Sequence, residues 1–241
     1  NYNEAADYFI DSINHDPENE KAFGFAALGH SIKGNAEESR DNITKAIAKN
    51  PNNPNIYVAL IALERDNLEF SELLKQVPEE LHDTQEISYA IGGLARHKND
   101  FDTAINWFQN AVDIALENNA DLKATLASTI LESVTNPFQI MTGQVDNESR
   151  NKINYSIALL TESWDEFKDS DLRKSRAWLL VNRGIAKKFL GDFTGAFEDM
   201  KQAATVSEKS YFSMRHLAIV AFETNKLDYS LELLDKLKSI E

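Results

Sequence analysis

A tetrad of small, bulky, small and proline residues recurs along this chain at a fixed interval. Ala5, Phe9, Ser12 and Pro17 return 34 residues later as Ser39, Ile43, Ala46 and Pro51. An interval of this length indicates stacked supersecondary units that contact their neighbours, rather than one folded-back core.

The spacing within the tetrad predicts two antiparallel helices in each unit. A small residue lets two helices approach closely, and a bulky residue three or four positions later fills the next groove. Proline then ends the helix, because it has no N–H and its ring clashes with the preceding turn. Without its proline, the tetrad recurs as Ala104, Phe108 and Ala111, as Ala196, Met200 and Ala203, and as Ser230, Leu234 and Leu237.

Each turn between paired helices is expected to contain a left-handed residue. Gly34, Asn99 and Gly191 stand where the first helix of a pair must end. Glycine and asparagine tolerate a positive φ better than other residues, so these three are predicted to adopt it.

The repeated pattern resembles the tetratricopeptide repeat family, with five aligned copies covering most of the chain. In the register of that family, Gly92 and Gly184 occupy the small-residue position of the first helix, where the paired helix crosses. Ala27 and Ala218 fill the same position, and Ile61 departs from it. The resemblance implies an all-α, right-handed superhelical solenoid of antiparallel helix pairs.

We expect one array over residues 1–241 that is a piece of a longer protein, with further repeats or domains at both ends. It begins with a half repeat at 1–17 and continues through units at about 20–53, 54–82, 84–118, 119–168, 172–208 and 210–241. The unit at 54–82 is the predicted weak point, because its second helix, 70–76, is cut short before Pro78. The unit at 119–168 is irregular and contains a long connector, 136–147, that carries Phe138, Ile140 and Met141.

Composition narrows the classes of function. A net charge of −14 argues against a non-specific nucleic-acid or anionic-membrane binder, since either surface would repel the protein. No apolar run reaches the roughly 20 residues that span a bilayer, so membrane insertion is not expected. The chain has no cysteine, and its five histidines lack metal-ligand spacing. We therefore expect no metal, no cofactor and no catalysis; the compartment is not fixed, with the cytoplasm favoured.

The first helices supply the candidate binding residues, because in the resembling family they line a concave surface. The positions that this register directs into the groove are unexpectedly cationic and aromatic for an acidic protein. The candidates for partner binding are Arg65, Tyr89, Arg96, His97, Trp178, Asn182, Lys188, Phe212, Arg215 and His216. The same mapping adds Asn55, Val58, Ala62, Glu86, Gly93, Val181, Ile185 and Ile219.

A structural explanation stays open for three of these cations. Arg65, Arg96 and Lys188 share one register position near helix C-termini, where a cation stabilises the helix dipole by roughly 0.3–1 kcal/mol. Arg215 and His216 lie earlier in their helix, so the dipole does not account for them. The connector residues Phe138, Ile140 and Met141 also keep two alternatives, recognition of a partner or a structural cover.

The two-carboxylate clamp known in the resembling family is absent. The Lys and Asn positions of that clamp hold Gly24 and Leu28, Val58 and Ala62, or Tyr89 and Gly93. The leading hypothesis is a non-catalytic scaffold that binds a protein or peptide segment, with an acidic or C-terminal group, in its groove. The alternative is a sensor or regulatory arm of a larger NTPase or nuclease whose catalytic part lies outside these residues.

Overall fold

The computed structural model describes residues 2–16, 19–115, 119–135, 145–207 and 210–238, and over these ranges it contains helices and no strand. The helices are α1 Tyr2–His15, α2 Glu20–Ile32, α3 Ala36–Lys49, α4 Pro54–Glu64, α5 Phe70–Leu74, α6 Gln85–His97, α7 Phe101–Ile114, α8 Ala120–Val134, α9 Asn147–Phe167, α10 Trp178–Phe189, α11 Phe193–Val206, α12 Tyr211–Glu223 and α13 Leu227–Lys238. A 3-10 turn at Glu79–Leu81 lies between α5 and α6.

The helices group into two compact units. Asn1–Ala115 contains α1 to α7, and Leu116–Glu241 contains α8 to α13. Within each unit, helices that follow one another through short turns pack side by side, so paired helices run antiparallel. The predicted all-α solenoid of helix pairs is confirmed. The prediction that residues 1–241 form one array stays a prediction.

Four helix pairs share the same turn. Gly34, Asn99, Gly191 and Asn225 have φ of 78°, 60°, 85° and 59°. In each turn the next residue's N–H bonds to a carbonyl five positions earlier, as Asp192 does to Lys187 at 3.0 Å. The predicted left-handed residues Gly34, Asn99 and Gly191 are confirmed. Asn225 was not predicted, and the pairing of α12 with α13 requires it for the same reason.

The tetrad residues form the contact between paired helices. Ala104, Phe108 and Ala111 are at most 2% exposed, and the hydroxyl of Ser39 donates to the Ala27 carbonyl at 2.7 Å. Ser230 makes the equivalent bond to Ala218 at 2.9 Å. A serine in the small-residue position therefore adds a hydrogen bond to the helix crossing.

The small residues of the first helices are needed for this packing. An added Cβ at Gly92 would lie 2.7 Å from Cδ1 of Phe108, and at Gly184 it would lie 3.1 Å from the Ala196 carbonyl oxygen. The family register is thus correct at both glycines. Ile61, which departs from the register, is buried in α4, where the paired helix α5 has only five residues.

The pair α4–α5 is the irregular part of the first unit. Leu73, Val77 and Leu81 are buried, so α5 and the turn after it still contribute to the core. Helix α6 packs directly against α4. Early local opening of this segment stays a prediction.

Two buried carboxylates join neighbouring helices. Glu64 at the end of α4 accepts two hydrogen bonds from Arg40 of α3, at 2.5 and 3.1 Å. Asp199 of α11 accepts two from Arg183 of α10, at 2.9 and 2.7 Å, and lies 2.7 Å from Lys187 Nζ. In each cluster the carboxylate pairs with an arginine of the neighbouring helix. Over the described ranges, no helix has the length and apolar content that crossing a bilayer requires.

Candidate functional site

A cavity in the first unit is lined by two first helices. It measures about 350 Å³ and lies between α2 and α4, and we call it the α2–α4 cavity. Its walls are Gly24, Phe25, Asn53, Asn55, Ile56, Val58, Ala59 and Ala62. Three residues that the family register directs into the groove line this cavity: Asn55, Val58 and Ala62. Phe25, 49% exposed, was not singled out, and its ring stacks on Phe9 at 5.6 Å.

Two of the predicted residues of the first unit, Arg65 and His97, contact the same aspartate. Asp66, just after α4, lies 2.7 Å from His97 Nε2 and 3.3 Å from Arg65 Nε. The hydrogen bond from His97, followed by that from Arg65, holds the pKa of Asp66 below its usual range. Arg96 is half-buried and also has an interaction within the chain. Tyr89, 43% exposed, packs its ring on Phe108 at 5.5 Å.

The second unit has a larger cavity between α10 and α12. It measures about 590 Å³, and we call it the α10–α12 cavity. Its walls are Arg150, Ile185, Lys188, Phe189, Leu190, Gly191, Phe193, Met200, His216, Ile219, Val220 and Glu223. Four predicted residues therefore line this cavity, Ile185 and Lys188 from α10 and His216 and Ile219 from α12. Lys188 Nζ pairs with Glu223 Oε1 at 2.8 Å across the two helices.

His216 lines this cavity as a half-buried imidazole. Its ring packs edge-on against Phe212, with centroids 4.7 Å apart, and Phe212 is 44% exposed. Burial, followed by the positive charges of Arg215 and Lys188, lowers the pKa of His216 below its ordinary value. These surroundings favour the neutral imidazole, which offers one donor and one acceptor.

Other predicted residues of the second unit occupy different surroundings. Trp178 is half-buried, and the Asn182 amide donates to the Ser128 hydroxyl at 3.1 Å. The register predicts that Val181 faces the groove, and this is wrong. Val181 is fully buried, because α8 and α9 both pack against α10 and enclose that side of the helix.

Arg215 lies on another surface than its neighbour His216. It lines a cavity of about 690 Å³ over α12 and α13, which we call the α12–α13 face. The large apolar side chains on this face are Tyr211, Ile219, Phe222, Leu231 and Leu234, between 40% and 65% exposed. The 34-residue interval indicates this apolar face in the sequence. Leu231 and Leu234 occupy the repeat positions that the buried Phe197 and Met200 occupy 34 residues earlier.

Arg150 is the residue of the α10–α12 cavity that sequence reasoning missed. It lies in the first turn of α9, a second helix, whereas the family register maps only first helices to the groove. The connector residues Phe138, Ile140 and Met141 lie outside the described residues, as does Pro17. Across the part of the chain that the structure describes, no cluster of three or more potential metal ligands occurs.

Solved structures share this arrangement of helices. A chain of the APC/C hetero-tetramer Cut9–Hcn1 superposes on the whole of this chain with a TM-score of 0.65 and 12% identity. A putative kinesin light chain from Podospora anserina, with nearly identical TPR-like repeats, superposes on 93% of it with a TM-score of 0.52 and 13% identity. The fold is tetratricopeptide-repeat-like.

The TPR-like fold also superposes on IFIT1, solved as a monomeric mutant with Gppp-AAAA, with a TM-score of 0.69, 17% identity and all of this chain covered. This chain spans 43% of the matched Cut9–Hcn1 chain, 55% of IFIT1 and 95% of the kinesin light chain structure. No protein-family model matches the sequence, and no curated protein matches it at a significant level.

Proposed function

We propose that this protein is a non-catalytic interaction scaffold that binds segments of a protein partner along its first helices. The observation that carries the proposal is the pair of cavities between consecutive first helices, α2 with α4 and α10 with α12. Cavities of about 300–1,000 Å³ with apolar walls and a few polar groups are typical of binding sites.

Exposed aromatic side chains at these cavities support the proposal. Phe25, 49% exposed, lines the α2–α4 cavity, and Phe212, 44% exposed, packs against His216 of the α10–α12 cavity. Burying such side chains is favourable. Aromatic residues are enriched among the few interface residues that carry most of the binding energy. We assign Phe212 as an anchor in the second unit and Phe25 as an anchor in the first.

A selection from peptide libraries tests the scaffold role, because the protein itself then chooses its ligands. The whole chain is panned against phage-displayed 12-residue segments, and the enriched sequences are synthesised and titrated by calorimetry. We expect Phe212→Ala to weaken those peptides that bind the second unit by about ten-fold. Phe222→Ala is the matched control, because it removes an exposed phenylalanine of α12 that lines the α12–α13 face instead.

Two outcomes would contradict the proposal: no enriched peptide, or enriched peptides that neither Phe212→Ala nor Phe25→Ala affects. The alternative role as a sensor arm of an NTPase or nuclease stays a prediction, and no feature of the described residues favours it.

A further inference from the structure

The α10–α12 cavity has a cation at its rim that the fold does not require. Arg150 lies in the first turn of α9, where the helix dipole favours acidic side chains and disfavours cations. The two carboxylates nearest to it in the sequence have other partners. Asp146 accepts from the Ser149 N–H at 2.7 Å, and Glu148 pairs with Lys152 at 3.0 Å. Among the described residues the guanidinium has no hydrogen bond or ion pair.

The residues that line the cavity carry one surplus positive charge, that of Arg150. Glu223 is the carboxylate among them, and it pairs with Lys188 at 2.8 Å. Two further charges of opposite sign are next to lining residues in sequence without lining the cavity, namely Arg215 beside His216 and Asp192 between Gly191 and Phe193. In a protein with a net charge of −14, this is a local cationic site, suited to an anionic group.

The apolar part of the cavity lies beside this cation. Phe193 and Ile219 are 42% and 40% exposed, and Ile185 and Phe189, which line the same cavity, are half-buried. A volume of about 590 Å³ has room for a large side chain together with the backbone that carries it. Arg150 itself is exposed, so it stands at the rim, where a side-chain carboxylate of a chain lying over the opening could reach it.

We propose that the α10–α12 cavity binds an internal protein segment in which an aspartate or glutamate lies next to a large apolar residue. Arg150 receives the side-chain carboxylate, and the lining residues Ile185, Phe189, Phe193 and Ile219 receive the apolar side chain. The inference rests on the proposed scaffold function and adds the class of segment that this site selects.

The test uses the whole chain and 12-residue segments displayed between two carrier sequences, so that no free C-terminus is present. The binding peptides are then made with acetylated and amidated ends and titrated. We expect enrichment of an acidic residue beside Phe, Trp, Leu or Ile. Arg150→Glu should weaken these peptides at least about ten-fold, and Arg150→Lys should retain most of the affinity.

Lys201→Glu is the matched control, because it reverses an exposed cation on α11 that lines neither cavity. Arg150→Glu is expected to fold, since an acidic residue in the first turn of a helix is favourable; an unchanged melting temperature verifies this.

The outcomes separate this inference from the scaffold role. Enriched peptides without an acidic residue, or with equal affinity for Arg150→Glu, overturn the ligand class and leave the scaffold role intact. The peptides are also titrated with a free C-terminal carboxylate, and strong binding in that form alone overturns the internal-segment assignment and leaves the scaffold role intact. Failure to enrich any internal segment, together with no binding by segments displayed with a free C-terminus, overturns both proposals.

Discussion

At the scale of single residues, two neighbouring glycines of α6 have opposite roles. A Cβ at Gly92 would meet the ring of buried Phe108 at 2.7–3.0 Å, whereas nothing lies within 4 Å of a Cβ at Gly93. We expect Gly92→Ala to lower the free energy of unfolding by about 1–3 kcal/mol, because the ring has to shift in a packed core. Gly93→Ala should be neutral or stabilising by up to about 1 kcal/mol, through helix propensity. Urea denaturation of both variants measures the difference, and equal effects would contradict the close helix crossing.

The ion cluster between α10 and α11 provides a second residue-scale prediction. Asp199→Asn leaves Arg183 and Lys187, whose side chains are 13% and 24% exposed, without their carboxylate. We expect a loss of roughly 3–5 kcal/mol, because removing one partner strands buried charge. Asp165→Asn is the control, since its pair with Lys168 is exposed and should change stability by less than about 0.5 kcal/mol. A small effect of Asp199→Asn in thermal melts would show that the cluster is not closed in solution.

Glu64 makes stability depend on pH in a defined direction. The hydrogen bond from Arg40 lowers the pKa of Glu64 below its usual 4.5 despite burial of the carboxyl. A carboxyl with a lowered folded-state pKa stabilises fully above its unfolded-state pKa, and the contribution is lost as pH falls through the folded-state value. The difference in urea midpoint between wild type and Glu64→Gln should therefore be largest at pH 7 and shrink below about pH 4.5.

The control for this pH series is Glu198→Gln, which changes an exposed carboxylate of α11. The urea midpoint of Glu198→Gln should stay close to that of wild type throughout the series. A Glu64→Gln difference that remains constant between pH 7 and pH 3 would argue against the Arg40 pair as its source.

At the scale of helices and turns, the shortened α5 is expected to open before its neighbours. It has five residues, about one turn and a half, and Leu73 is its buried anchor. Few backbone hydrogen bonds must break to expose it, so its amides should exchange faster than those of α6 and α7. Hydrogen exchange followed by mass spectrometry tests this within one sample, with α7 as the internal reference. Protection of Phe70–Leu74 equal to that of α7 would refute it.

The sequence predicted the helix pairs because their signals are local and repeated. Gly34, Asn99 and Gly191 fix the turns through their own backbone preferences, and the tetrads fix the buried stripe through helical spacing. The cavity walls were only partly predictable. Arg150 enters its cavity from a second helix, and Val181 is enclosed by two other helices. Both outcomes depend on packing between elements distant in sequence, which a single-repeat register does not contain.

At the scale of the whole molecule, two repeats differ in how far the same two positions of their second helices are exposed. Phe197 and Met200 are 8% and 2% exposed under the packing of α12, whereas Leu231 and Leu234, 34 residues on, are 60% and 45% exposed. In stacked repeats, stability is approximately the sum of each repeat and its contacts with neighbours. Within the described residues, the α12–α13 pair has such a contact on one side, whereas the α10–α11 pair has one on each side.

This exposed pair of leucines makes the protein extendable by duplication. A second copy of residues 207–240, inserted after Ile240, keeps the 34-residue interval. The copied α12 sequence would then cover α13 in the way that α12 covers α11. The added module should bury Leu231 and Leu234 and raise the melting temperature by several degrees. A shuffled insert of the same composition should leave the temperature unchanged. Successive insertions would then lengthen the protein one helix pair at a time, with a growing number of first helices available for display of new binding residues.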